Sequence, residues 1–425
     1  MHEREPGAGA GVIVLINTGK VEALSRLTEH VPAGSVHVIT EVAYRDLYPG
    51  STPLHFVHDV GDAAAVLQIV LELAAEHGVR AVVSPSERSM PAGGFVRSIL
   101  SLPGVPFETA NLLTNKVAMK QRLLAAGVPV APFRGAVGAE QLRAAAQELG
   151  FPVIVKPAFG TGSMNTHVLE SEADLDALLD AESAGVLVDP PKLLAVEAFL
   201  PVRQEITCDG VIIDGEVRFA IASQYHAPLI GGIGTMVGAS TISSTDRRSG
   251  EVRALHERVV SVLGVRDAVT HMEALVTDDG ILLGEIACRP GGAGVVDSAR
   301  LSTGVDLWEA FMLLSLGRPV SFTADGSHPA MLMWTSLPTE PGRVVALSTA
   351  EDFANIDGVR LVDMHASVGD TISSRMHSSS TTGIVFLDVP DTSAATVNDR
   401  IRQVRAAYRL EVERIPDRKP AEALV

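Results

Sequence analysis

Two glutamates flanking a tight turn have the most chemistry to offer in this sequence. His271 to Ala287 reads as a β-hairpin around Asp278-Asp279-Gly280. If the loop holds three residues, Asp278 to Gly280, with glycine in the left-handed position, Thr277 faces Ile281. Counting outward then sets Glu273 opposite Glu285 and His271 opposite Ala287, with Arg289 continuing the same side. Two opposed carboxylates repel unless a cation lies between them, and Mg²⁺ prefers carboxylate oxygens together with phosphates. A two-residue loop would shift the register and part the glutamates. A surface hairpin with two solvated glutamates also fits, so the sequence alone leaves the pair open.

The second element is the glycine-rich turn Phe159-Gly-Thr-Gly-Ser-Met-Asn165 after the strand Val153–Lys156. Gly160, Thr161, Gly162 and Ser163 can expose backbone N–H groups, and such a loop can close over phosphates. It lacks the Gly-Lys-Ser/Thr of a Walker loop and reads equally as an ordinary turn. The chain has six lysines against 28 arginines. Lys156 lies beside this loop, and Lys116 opens the helix Asn115–Ala126, where a helix N-terminus and a cation together suit a phosphate. The plain alternative for either lysine is a solvated surface charge. A third stretch, Val196-Glu197-Ala-Phe199-Leu200-Pro-Val-Arg-Gln-Glu205, sets two acids on an apolar connector. One acid can meet an adenine amino group and the other ribose hydroxyls. An interdomain strand explains the stretch as well.

The elements that must position these residues alternate strand with helix in the first third. Gly11–Asn17, Val36–Ile39 and Ala81–Ser84 read as strands, with a helix over Ala64–His77 stopped by Gly78. Such alternation implies a parallel sheet with crossovers. No G-x-G-x-x-G follows the first strand, so a nicotinamide-dependent oxidoreductase loses its main support. Further helices are expected over Ala139–Leu149, Ser171–Ala181, Arg300–Leu316 and Ala394–Ala407. A hairpin is expected around Asp214-Gly215.

Composition bounds the function. At 46% hydrophobic and 20% charged, the 425 residues suit a globular protein of two or three domains. A net charge of -17 argues against nonspecific nucleic-acid binding. No apolar run is long enough for a membrane span, and the first eleven residues lack a signal-like apolar core. The two cysteines, Cys208 and Cys288, stand far apart without a metal-ligand pattern. A reducing cytoplasm is therefore the expected location, and a homodimer the base-rate assembly.

In this order, Lys116, Val-Lys156-Pro with its glycine-rich loop, Glu197-x-Phe-Leu, Glu205, Glu273, and Gly-Glu285-Ile-Ala-Cys-Arg289-Pro-Gly-Gly resemble the ATP-grasp superfamily. The match runs from about residue 109 to 316, and the Glu-x-x-x-Arg-Pro stretch is its most specific part. Within the superfamily the sequence is most similar to amino acid ligases (dipeptide synthetases) and ligases of peptide natural-product pathways, such as antibiotic biosynthesis. The resemblance implies an α/β (α+β) architecture in three parts. These are an N-terminal parallel-sheet domain over 1–110, a central lid over 111–200, and a β-rich domain over 201–425.

The roles it implies follow residue by residue. Lys116 and Lys156 would hold ATP phosphates under the Gly160–Asn165 loop. Glu197 with Phe199 and Leu200 would read adenine, and Glu205 the ribose. Glu273 and Glu285 would carry Mg²⁺, or Mn²⁺ in its place, and Arg289 would stabilise the transferring phosphoryl group. Many members have Asn where this chain has Ala287, which leaves the number of metal ions open. An acid would be activated as an acyl phosphate and joined to an amine, with small-molecule substrates and no nucleic-acid or membrane partner. Cys288 reads as packing. Gly291 and Gly292 suggest room for a bulky acyl group, while His226 and His271 are candidate substrate contacts and also plausible packing residues. Gly231–Gly234 could gate the acceptor or be a plain surface turn. A carboxylase or purine-pathway ATP-grasp enzyme is the alternative chemistry. A nucleotide-binding regulatory protein without catalysis is the alternative class.

Overall fold

Runs of branched apolar residues build the first sheet. Val12–Ile16 (β1) is buried along nearly its whole length, as a strand covered on both faces must be. It pairs in parallel with Val36–Glu41 (β2) and Val79–Val83 (β4), and Leu54–Val57 (β3) completes the order β3-β2-β1-β4. The helix Ala63–His77 is started by Asp62, whose side chain accepts from the Ala64 and Ala65 N–H groups, and it ends at Gly78 with φ +71°. The structure, a computed structural model, describes residues 11–160, 164–180, 191–227, 236–328, 331–373 and 380–414.

A second sheet has its own small core. Phe133–Val137 (β5), Val153–Pro157 (β6), His167–Leu169 (β7) and Leu193–Ala198 (β8) pair antiparallel in the order β5-β8-β6-β7. The helices Gly138–Leu149 and Glu172–Asp180 pack Leu142, Ala146 and Leu175 against Val153, Val155 and Val196. The helix Lys116–Ala125 precedes this sheet and packs Val117, Met119 and Leu123 into the main core.

The largest sheet is antiparallel throughout and organises the rest. Its strands are Gln204–Ile213 (β9), Glu216–Tyr225 (β10), Gly238–Thr241 (β11), Ala268–Thr277 (β12), Gly280–Ala287 (β13), Met331–Leu337 (β14), Val359–Met364 (β16) and Gly383–Val389 (β18). They are ordered β13-β12-β9-β10-β11-β14-β18-β16. Gly342–Leu347 (β15), Thr371–Ile372 (β17) and Leu410–Glu413 (β19) form a three-stranded sheet beside it. The helix Arg247–Leu263 packs His256, Val259 and Leu263 inward. Among the described residues, no helix is long and apolar enough to cross a membrane.

The hairpin at Asp278-Asp279 departs from the expected turn. Thr277 pairs with Gly280, so the loop has two residues and not three. The ladder nevertheless corrects itself. Ala274 pairs with Leu283 while Glu273 pairs with Glu285, leaving Gly284 as a β-bulge. A side chain at Gly284 would sit 3.1 Å from the Glu273 carbonyl oxygen, so glycine suits this crowded point. The helix expected over Arg300–Leu316 is two helices, Val295–Thr303 and Leu307–Ser315, divided at Gly304 (φ +82°). Asp306 caps the second by accepting from the Trp308 and Glu309 N–H groups. The helices Met90–Leu100, Phe107–Leu112 and Arg247–Leu263 were not anticipated from the sequence.

Candidate active site

Period-two alternation gathers the site on one face of the large sheet. Glu205, Thr207 and Asp209 of β9 stand across the ladder from Leu275, Glu273 and His271 of β12. On the other side of β12, Glu273 faces Glu285 and His271 faces Ala287. Arg289 follows just beyond the end of β13. Glu205, His271, Glu273, Glu285, Ala287 and Arg289 line one cleft, together with Lys156, Gly160 and Glu197 of the lid-like sheet and Glu87 of the loop after β4. The cleft encloses roughly 1400 Å³ including its open mouth.

Three lysines converge here on two acids. Asn115 caps the helix Lys116–Ala125 by accepting from the Val117 and Ala118 N–H groups, which fixes Lys116 in the first turn. Lys116 Nζ lies 2.9 Å from Glu285 Oε1 and donates to the Gly160 carbonyl at 2.8 Å. One turn on, the fully buried Lys120 donates to Glu197 Oε2 at 3.0 Å. Lys156 Nζ approaches Glu197 Oε1 at 3.0 Å from β6, the strand that pairs beside Glu197. Burial alone would raise the Glu197 pKa, but the two ammonium groups hold it down at about 2. Burial lowers the Lys120 pKa despite its partner.

The opposite end is a chain of alternating charges. His271 Nδ1 lies 2.7 Å from Asp209 Oδ1, and its Nε2 lies 3.5 Å from Glu273 Oε1. Burial would lower the imidazole pKa, but the two carboxylates raise it to about 10, so the ring is a cation at neutral pH. Glu273 is held below its ordinary value by the same imidazolium, against the opposing effect of burial. Arg289 is paired with Glu87 and also donates to the Pro290 carbonyl at 2.9 Å. Cys288 points away into the main core, and burial pushes its thiol up to about 12, so no thiolate nucleophile is available there.

Several expectations land elsewhere. Gly292 lines the cleft, but Gly291 does not. A side chain on Gly291 would meet Val295 Cγ1 at 2.5 Å and His271 Nδ1 at 3.0 Å. Its smallness therefore serves close packing, and it leaves no room for an acyl group. His226 hydrogen-bonds Ser240 Oγ at 2.8 Å, is held neutral by burial with a pKa of about 4, and is not among the cleft-lining residues. Phe199 is half-exposed beyond the end of β8, and neither it nor Leu200 lines the cleft. Thr161, Gly162, Ser163 and the Gly231–Gly234 stretch lie outside the described residues.

Sequence reasoning missed Lys120, Glu87 and Asp209. Lys120 had a usable signal, since it stands one helical turn from Lys116 in a chain poor in lysine. Asp209 alternates with Glu205 on β9. Glu87 carried a weaker signal, its place after the last parallel strand, where open α/β sheets gather ligands.

Among the described residues no three His, Cys, Asp or Glu side chains converge as a metal-holding group. Glu273 and Glu285 are a pair of hard oxygen donors. That set suits Mg²⁺, which takes its other ligands from phosphate and water, and not a closed zinc site. Ala287 adds no donor.

Comparison with known proteins agrees with this geometry. Residues 121–303 match the family model described as "ATP-grasp domain". The chain is 30% identical over 373 residues to the L-arginine-specific L-amino acid ligase of Bacillus subtilis, covering 86% of this chain and 90% of that protein. A formate-dependent phosphoribosylglycinamide formyltransferase of Rhodococcus jostii is 26% identical over 331 residues, covering 74% of this chain and 77% of its own. The crystal structure of an L-amino acid ligase from Bacillus licheniformis superposes with a TM-score of 0.74 at 17% identity, covering 96% of this chain and 100% of that one. The higher identity and wider coverage favour amine ligation over the formyl-transfer and carboxylase alternatives, and the chain belongs to the ATP-grasp family, as an ATP-dependent carboxylate–amine ligase.

Proposed function

We propose that this ligase joins the carboxylate of one amino acid to the amine of another through an acyl phosphate, releasing ADP and phosphate. One observation carries the reading. Glu273 and Glu285 face each other in a cleft where Lys116, Lys156 and Arg289 also converge. A carboxylate is a poor electrophile, and transfer of the γ-phosphoryl group to its oxygen gives it a leaving group. Such transfer depends on positioning and charge neutralisation, for which cations suffice without a protein nucleophile.

The substrate's carboxylate oxygen attacks the γ-phosphorus, and the bond to the β-phosphate oxygen breaks to release ADP. The amine nitrogen of the second substrate, having shed its proton, attacks the acyl carbon, and phosphate leaves. Lys116 and Lys156 would bind the phosphates, and Arg289 would meet the charge that develops on the transferring group and on the tetrahedral oxyanion. Glu197 would accept from the adenine amino group and Glu205 from the ribose. Glu273 and Glu285 would hold Mg²⁺, which supplies charge neutralisation at the phosphates. Glu87, a buried carboxylate in the cleft wall, suits a substrate ammonium group. The three-part division at residues 110 and 200 and a cytosolic location belong to the same reading. The two buried free cysteines support a reducing compartment.

The test is phosphate release from ATP and Mg²⁺ over pairs of amino acids, with product masses, for the wild type and Glu285→Ala. ADP, phosphate and a dipeptide that all depend on two amino acids, and vanish in the variant, are the expected outcome. Formation of AMP, or phosphate release that needs bicarbonate or formate, overturns it.

A further inference from the structure

Lys120 has no access to the cleft. It is fully buried, it does not line the cavity, and its ammonium donates to Glu197 Oε2 at 3.0 Å. Glu197 does line the cleft, so Lys120 can act on a ligand only through that carboxylate. The two oxygens of Glu197 are not equivalent. Oε2 is committed to Lys120, while Oε1 is buried and accepts no hydrogen bond. Lys156 Nζ stands 3.0 Å from Oε1, but off the direction a hydrogen bond needs. One carboxylate thus faces two ammonium groups, and the site holds a cation ready for a further anion.

We propose that Lys120 is a positioning residue for the nucleotide base. It anchors Glu197 by Oε2, leaving Oε1 to accept the exocyclic amino group of adenine. The inference rests on the reading above that ATP occupies this cleft. Its chemistry is directional. Adenine presents an N–H donor at that edge where guanine presents a carbonyl oxygen, so a fixed, ionised Glu197 attracts one base and repels the other. A buried acceptor built for a donor discriminates strongly against a ligand that lacks one. Without Lys120 nothing would hold Oε2 in place, the carboxylate could turn, and base recognition would suffer.

The experiment compares the wild type, Lys120→Met, Lys120→Arg and Glu197→Gln. The readouts are KM and kcat with ATP and with GTP, and inhibition by inorganic tripolyphosphate, which has no base. For Lys120→Met we expect KM for ATP to rise about tenfold or more, with kcat at saturating ATP within about threefold of wild type. The ATP-over-GTP preference should fall about tenfold, and tripolyphosphate inhibition should stay within about twofold of wild type. Lys120→Arg should recover most of the preference. If Lys120→Met does not fold, the same comparison is read on Lys120→Gln. An unchanged KM and ATP/GTP ratio overturns the proposal, as does a parallel loss of ATP and tripolyphosphate binding, which marks a collapsed site. If Glu197→Gln leaves KM for ATP unchanged, the nucleotide reading itself fails. If Glu197→Gln raises KM and Lys120→Met does not, only the role of Lys120 falls.

Discussion

Glu273 stands directly opposite Glu285 because Gly284 bulges from β13 between them and the turn. The turn alone would give the wrong answer, since a two-residue connection carries the two glutamates to opposite faces. One extra residue in the returning strand restores them to the same face. The bulge is thus part of the site, and it yields a test in which deletion and insertion oppose each other.

Deleting Gly284 removes the bulge but also shortens the returning strand by one, so a regular ladder from the Thr277–Gly280 pair still sets Glu285 opposite Glu273. Ligase activity should then stay within about tenfold of wild type. Inserting one glycine after Gly284 instead moves Glu285 by one place and turns it away from Glu273, which should cost about a thousandfold or more. Phosphate release and far-ultraviolet circular dichroism on both variants decide the matter. Loss with the insertion alone is expected. Equal loss in both would mean that the bulge serves something other than register.

Turn chemistry made the hairpin legible in the sequence, and counting outward from a three-residue loop set Glu273 opposite Glu285 with His271 on the same side. The loop length was misjudged because Asp-Asp-Gly fits either a two- or a three-residue connection, and a compensating bulge is invisible in a strand pattern. The parallel sheet was legible because its strands are continuous apolar runs. Lys120 and Glu87 were obscured for a physical reason, since charged residues are ordinarily solvated and only the fold shows them buried with partners. Gly291 was misread because smallness in sequence does not distinguish an open space from one already filled by Val295.

The Arg289–Glu87 pair links the large sheet to the loop after β4, with both side chains largely buried. Arg289→Met takes the guanidinium away from the buried Glu87 carboxylate and should cost about 3–5 kcal/mol in urea unfolding, besides abolishing turnover. Adding Glu87→Gln to Arg289→Met should recover most of that stability without restoring activity. Stability that fails to recover in the double variant would show that Glu87 is compensated by other groups.

Gly291→Ala should destabilise by about 1–3 kcal/mol, because the added methyl would lie 2.5 Å from Val295 Cγ1. Trimming that neighbour in Gly291→Ala/Val295→Ala should return much of the loss by thermal or urea unfolding. If Gly291→Ala is neutral and changes only substrate preference, the position lines the acyl site after all.

Acid should destabilise the protein through its buried neutral histidines. His256 is fully buried with Nε2 2.8 Å from Thr270 Oγ1, and burial lowers its pKa from an ordinary 6.5 to about 4. His226 is lowered to about 4 for the same reason. Between about pH 6.5 and 4 the unfolded chain therefore binds more protons than the folded one, so stability rises with pH across that window and falls on acidification. His271 does not oppose this. Its pKa is raised to about 10, so its contribution is fully present below 6.5 and is lost only as pH climbs towards 10. Urea unfolding between pH 5 and 7 should show this slope. His256→Gln should reduce it by up to one proton, about 1.4 kcal/mol per pH unit at most. A slope unchanged by His256→Gln would mean that His256 can take up a proton without unfolding the chain.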